Sequence, residues 1–279
     1  MAEITARFDS LAEFVEQAFK PERNHGIVKT FAAENRGDWY GLANKNAKAD
    51  HVRNAINNGW LEGADKIANF AGQLEVPKLS SVRRRPKWCD QGDSVDMDRV
   101  RAGQLDQAWR RTTRQLGGQP PRIVIAVDSI ASGGKDADQM FWQGAAAAAL
   151  GDALVAAGYV VKCISGFRGR NGCGDTMDVQ VTVKEYSAPW SLADAASSLA
   201  LPGFFRAIGH IWQAGHASGA LYNVSMQVLS MSRSHVDAED AQKVFLAPQD
   251  LNSLNTAKVW IESCLRELQG DLEEQNAAA

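Results

Sequence analysis

Up to Pro77 the apolar positions recur at helical spacing, and from Arg122 onward they form short strand-like runs. Leu11, Phe14, Val15 and Ala18 make one buried helix face, with Asp9 or Ser10 as the N-cap and Pro21 as the stop. A second helix is predicted from Asp50 to Asn57, and a third, after Gly59-Trp60, from Leu61 to Leu74. No strand-like alternation is read in this stretch, so residues 1–79 are expected to be a helical N-terminal arm. Residues 80–121 read as a connecting segment. Its Arg83-Arg84-Arg85-Pro86-Lys87-Trp88 is basic and broken by a proline, which excludes a helix interior. Gly92 to Asp98 reads as an acidic loop or a short extended piece, and Asp98 as the cap of a helix through Val100, Leu105, Ala108 and Trp109. Gly117-Gly118-Gln119-Pro120-Pro121 marks the main boundary.

Residues 122–270 carry the α/β pattern. Arg122 to Asp128 is a nearly continuous β-branched run, as in a strand buried on both faces. A loop with glycines follows, then a helix capped by Asp136 or Asp138, whose Gly144, Ala145, Ala148 and Gly151 would let it lie close to a sheet. Tyr159 to Ser165 is the second strand, completing a right-handed βαβ unit. Gly166 to Gly174 reads as a loop, and the alternation of Met177, Val179, Val181 and Val183 predicts an antiparallel strand at the sheet edge. Ser191 caps the next helix, and Phe204, Phe205, Ile208, Ile211 and Trp212 lie on another. Leu221 to Met231 and Val244 to Ala247 are candidate strands. Asn252 or Ser253 caps a last helix, and residues 271–279 are expected to be a disordered tail.

Composition narrows the class. Among 279 residues, 45% are hydrophobic and 23% charged, which are ordinary globular values. Thirty Lys and Arg against 33 Asp and Glu leave a formal charge of -3, which argues against coating nucleic acid by bulk charge but leaves room for a local basic patch. No apolar run reaches the roughly 18 residues of a membrane span. The start Met1-Ala2-Glu3 has neither the basic nor the apolar part of a secretory signal. Cys89, Cys163, Cys173 and Cys264 form no CxxC pair and are expected to be free thiols.

A strand ending in aspartate, a glycine-serine loop, a long helix, a second strand and an antiparallel edge strand together resemble the opening of a von Willebrand factor A-like domain. Ile123 to Ser132, the helix from Asp136, Tyr159 to Ser165 and Asp178 to Tyr186 carry the resemblance. Phe8-Asp9-Ser10-Leu11, Gly59-Trp60, Val95 to Arg99, Phe141 to Ala146 and Ala157-Gly158-Tyr159 are similar to motifs of a group of uncharacterised phage and prophage proteins with such a core. The resemblance implies a doubly wound, Rossmann-like, mostly parallel sheet with helices on both faces and an antiparallel edge strand. It also implies a phage origin and a place in the host cytoplasm. In the wider family, Asp-x-Ser-x-Ser holds Mg²⁺ or Mn²⁺ through hard oxygen ligands. Here Asp128 and Ser132 match, while Ile130 replaces the first serine, so a degenerate, metal-free loop is favoured.

The residues and the resemblance together point to a non-catalytic binding or assembly protein with a phage or host protein as partner. Its binding residues are Asp128, Ser129, Ser132 and Lys135, in the loop at the carboxyl end of the sheet where doubly wound folds place ligands. A homo-oligomer is left open, and no membrane partner is expected. The first alternative is nucleic-acid binding through Arg83, Arg84, Arg85, Lys87 and Trp88 with Arg168 and Arg170, since arginines beside an aromatic hold phosphates and stack on bases. The second is a metal-dependent enzyme centred on Asp128. His210 and His216 lie six residues apart without an HExxH, and Cys163 and Cys173 have no evident catalytic partner.

Overall fold

The computed structural model describes residues 3–20, 33–72, 84–89, 94–114, 121–130, 134–170, 174–216, 227–238 and 240–278. It divides into two compact units, one formed by Met1–Val76 together with Arg122–Ala279, the other by Pro77–Pro121. The arm is therefore not a separate domain: its residues and the α/β core share one unit, and the connecting segment is an insertion within it.

In the first unit, strand β1 (Glu3–Phe8) precedes helices α1 (Leu11–Ala18), α2 (Gly37–Tyr40), α3 (Ala49–Asn58) and α4 (Leu61–Ala71). The insertion holds β2 (Arg84–Cys89), β3 (Ser94–Val95), α5 (Met97–Arg101) and β4 (Trp109–Arg114). The first unit resumes with β5 (Arg122–Asp128), α6 (Ala137–Ala156), β6 (Val160–Arg170), β7 (Thr176–Lys184), α7 (Leu192–Ala195), α8 (His210–His216), β8 (Gln227–Leu229), β9 (Lys243–Ala247) and α9 (Leu254–Ala278).

The main sheet has the order β1-β7-β6-β5-β9, with β8 pairing the end of β6. β5 runs parallel to β6 and β9, whereas β7 is antiparallel to β6, as its alternation predicts. It is not an edge strand, however. β1 pairs with it in parallel from Glu3 to Phe8, and the alternation Ile4-Thr5-Ala6-Arg7-Phe8 is a strand within the stretch expected to be all helical. β6 also runs on to Arg170, so the expected loop at Gly166 to Arg170 is ladder. Of the candidate strand Leu221 to Met231, the described part is Gln227–Leu229. The terminal segment expected to be a disordered tail continues α9 to Ala278.

Helix α6 explains how the arm joins the core. Asp136 and Gln139 form a reciprocal cap, with Gln139 N–H donating to Asp136 Oδ1 at 2.7 Å. Beyond that cap nearly every residue from Met140 to Leu154 is buried, because the helix is apolar on all sides. Its small residues serve a helix contact more than a sheet contact. The backbone of Ala196–Ala200, a π-helical continuation of α7, passes so close that a Cβ on Gly144 would sit 1.9 Å from Leu199 O. Trp60 meets Phe141 with ring centroids 6.0 Å apart, and Phe70 meets Trp142 at 5.8 Å, so α4 and its cap pack directly on α6. A second aromatic cluster joins Phe8 and Phe14 to Phe167, Phe204, Phe205 and Trp212, with Phe8–Phe14 and Phe167–Phe205 both at 5.1 Å.

Among the described residues, the other face of the sheet carries no helix layer of the kind expected of a doubly wound fold. Among the described residues, Val124, Ala126 and Ile164 are covered there by Met231 and Val236, with Tyr186, Ala238 and Ala241 around them. The cover is a strap, residues 230–238, containing one 3₁₀ turn (Arg233–His235) and no α-helix. Among the described residues no helix is long and apolar enough to cross a membrane.

In the insertion, β4 lies between β2 and β3, antiparallel to both. The expected helix from Asp98 to Trp109 ends at Arg101. Gly103 turns the chain with φ +76°, and Trp109 begins a strand. The proline-broken basic stretch is itself strand β2 from Arg84.

The Gly144 contact gives a test of this packing. Gly144→Ala forces the helix off the Leu199 backbone and is expected to cost about 1–3 kcal/mol, read as a lower urea midpoint. A variant with the wild-type midpoint would contradict the close approach.

Candidate functional site

Asp128 ends β5, the strand between β6 and β9, and is only 2% exposed. Strand alternation puts it on the strap face with Val124 and Ala126. There its Oδ2 accepts hydrogen bonds from Met231 N–H at 2.9 Å and from the Gln249 side-chain amide at 2.7 Å. Oδ1 is also buried and has no hydrogen-bond partner among the described residues. Burial pushes the carboxyl up to about 6, against the opposing pull of Met231, Gln249, the Ile130 backbone and the charge of Arg168.

The loops around it are tied to one another. Gln249, just past β9, also donates to Ile130 O at 3.3 Å, and its own carbonyl accepts from Lys135 Nζ. The carbonyl of Lys135 in turn accepts from Arg206, a guanidinium 2% exposed that also donates to Trp39 O at 2.9 Å and lies 4.9 Å from the Trp39 ring centroid. On the strap side, Gln180 accepts from Asp237 N–H at 3.1 Å and donates to His235 O, while Arg168 reaches Ser230 O at 3.4 Å. Asp128 and Gln180 thus fasten the strap to the sheet, and the chain Asp128, Gln249, Lys135 and Arg206 links the end of β5, the segment after β9, the β5–α6 loop and the helical segment Phe204–Gly209.

The expected site residues separate on this geometry. Asp128 and Lys135 are joined through Gln249. Ser129 is buried on the opposite, helix side, where its hydroxyl hydrogen-bonds that of Ser165. The cavity beside it, lined by Val127, Ser129, Gln143 and Leu201, has about 10 Å³, room for one water and not for a metabolite. Ser132 lies outside the described residues, as do Arg83 and Cys173. Lys135 is engaged with a protein carbonyl rather than held open as a phosphate ligand.

The two basic stretches fall in different units and are strands rather than loops. Arg168 forms an ion pair with Asp178 at 3.1 Å, and Asp178 also pairs with Arg7 at 2.9 Å. Arg170 is exposed at the end of β6. Arg84, Arg85, Lys87 and Trp88 all belong to β2 in the insertion.

A divalent ion fits these residues poorly. It needs several oxygen ligands, whereas Asp128 Oδ2 is taken up by two N–H donors, the nearby Ile130 carbonyl accepts from Gln249, and the charge acting on the site is that of Arg168. Asp178 is paired with arginines, and Asp194 lies in the first turn of α7 beside Gly59. Among the described residues no three His, Cys, Asp or Glu side chains gather into a group able to hold a metal. Thiol and imidazole chemistry fit no better. Burial pushes the Cys163 and Cys264 thiols up to about 12. His210, its value lowered first by burial, stacks 5.7 Å from Trp39 and donates from Nδ1 to Arg206 O at 2.9 Å.

Residues 2–228 match the model of DUF7192, a domain of unknown function. The chain belongs to that family. No curated protein matches it, and no solved structure does. The DUF7192 match spans β1 to β8 and includes the insertion, whereas Gln249 and β9 lie beyond it.

Gln249, Arg206 and Met231 are site residues that sequence reasoning missed. The one available signal was positional: Gln249 follows a strand parallel to β5, and loops leaving the carboxyl ends of neighbouring parallel strands converge.

The raised value of Asp128 has a definite sign. The native state keeps a proton that the unfolded chain gives up near 3.8, so stability is full below that value and falls as pH rises toward about 6. A shift of this size corresponds to at most about 3 kcal/mol. Asp128→Asn keeps an acceptor for Met231 and Gln249 without the buried charge. It should match wild type near about pH 4 and be more stable by about 1–3 kcal/mol at neutral pH, measured by urea unfolding. A variant less stable than wild type at neutral pH would show that the site needs the ionised carboxylate.

Proposed function

We propose that this DUF7192 protein is a non-catalytic binding or assembly protein that presents the loops at the carboxyl end of its sheet to a phage or host protein. The observation that carries the reading is the strand order β7-β6-β5-β9, with β7 antiparallel and Asp128 ending β5 between its two parallel neighbours. It supports the resemblance to von Willebrand A-like domains, which typically act by binding other proteins. β1 beyond β7 and the strap in place of a second helix layer are departures from that pattern.

Preorganisation supports it further. Lys135, Gln249 and Asp128 hold the loop ends to one another, so little conformational freedom remains to be lost when a partner docks. The phage origin and a place in the host cytoplasm follow from the same resemblance and remain part of the proposal.

Gly134 offers a clean probe, because it is exposed and a Cβ there would meet nothing within 4 Å. Gly134→Arg should leave the melting temperature unchanged and abolish retention of the protein that the wild-type chain captures from infected host cells. Capture of the same protein by wild type and variant alike would place the binding surface elsewhere.

A further inference from the structure

The insertion concentrates charge of the sign the rest of the chain lacks. Pro77–Pro121 carries ten Lys and Arg against five Asp, a net of +5, leaving -8 for the remaining residues. Six of the ten basic residues lie in β2 and β4, and neither strand contains an acid.

The register makes this arrangement costly in isolation. Arg84 stands opposite Arg114, and Lys87 stands opposite Arg111. Like charges directly across an antiparallel pair destabilise it. Nor is either face of the ribbon an apolar one. Alternation assigns positions 84, 110 and 114 to one face and 85, 87 and 111 to the other, so a protein core cannot cover either without desolvating cations. A polyanion lying along the ribbon removes the repulsion. Two tryptophans complete the pattern: Trp88 is opposite Arg110, and Trp109, next to Val95 in register, is 38% exposed.

We propose that the inserted three-stranded sheet binds single-stranded nucleic acid, its arginines and lysine tracking the phosphates and Trp109 stacking on a base. A ribbon reading a duplex groove presents one face to it, whereas here the positive charge is divided between two. A flexible strand can follow both, and stacking on exposed aromatics is the usual complement to phosphate contacts in single-strand binders. The ribbon uses Arg110, Arg111 and Arg114, which the sequence patch of Arg83 to Trp88 did not include, and it does not require Arg168 or Arg170.

The test uses the full chain with labelled poly(dT) and a duplex of equal length across a salt series. Wild type should prefer poly(dT) and weaken steeply with salt. The double variant Lys87→Thr, Arg111→Thr should lower the slope of log K against log salt by roughly 1.4, about 0.7 per lost contact. It should not lower the melting temperature, because it removes a repulsive pair and threonine suits a strand. Trp109→Ala should weaken poly(dT) at least about fivefold with the salt slope unchanged. Failure of wild type to bind poly(dT) at low salt, tighter binding of the duplex, or a double variant with the wild-type slope would each overturn the proposal.

Discussion

Two N–H donors converge on one oxygen of a carboxylate that the sheet has removed from water, and much of the molecule's arrangement follows from that contact. Met231 reaches Asp128 from the strap and Gln249 from the loop after β9, so one side chain joins both to the end of β5. The strap then covers Val124, Ala126 and Ile164, the apolar positions that no helix of the described structure covers. Through Gln249 the same contact fixes Lys135, and through Lys135 it meets Arg206 and Trp39. An aspartate that resembles a cation ligand in sequence is here a fastener between segments. Its second oxygen, buried without a partner among the described residues, is the part of the contact that burial leaves unbalanced.

The two units divide the electrostatics between them. The α/β unit has an acidic balance, and its buried or half-buried cations are used internally: Arg168 on Asp178, Arg206 on backbone carbonyls, Lys243 on Glu267 at 2.7 Å and Asp271 at 2.8 Å. The insertion keeps its positive charge on a ribbon whose paired positions repel. The proposed protein partner at the carboxyl end of the main sheet and the proposed polyanion on the ribbon call on different residues, so neither proposal excludes the other. The mild overall charge of -3 conceals that division.

Parts of this structure were legible in sequence because their causes are local. The β-branched run of β5, the caps at Ser10, Asp136 and Ser191, and the alternation of β7 each depend on a few neighbouring residues. β1 was missed although Ile4 to Phe8 alternates, because five residues ahead of a helix carry little weight until a partner strand is known. β2 is not legible as a strand, because Pro86 and the basic residues give it no apolar face. Its ladder is made by backbone groups and a partner more than twenty positions away. The small residues of α6 correctly signalled a close approach but not its object, which is the Leu199 backbone rather than the sheet. The Asp128 contacts are the extreme case: Met231 and Gln249 lie 103 and 121 positions away, and no spacing rule reaches that far.

The central claim is that Asp128 is an internal fastener whose carboxyl is pushed up by burial, not a ligand whose value a bound cation holds down. Its carboxyl carbon can be followed directly by NMR through a pH titration, with Asp128→Asn supplying the assignment. The expected midpoint is about 6, unmoved by millimolar Mg²⁺, which is diamagnetic and leaves the resonance sharp. A midpoint at or below the ordinary value of 3.8, or one driven down when Mg²⁺ is added, would contradict it.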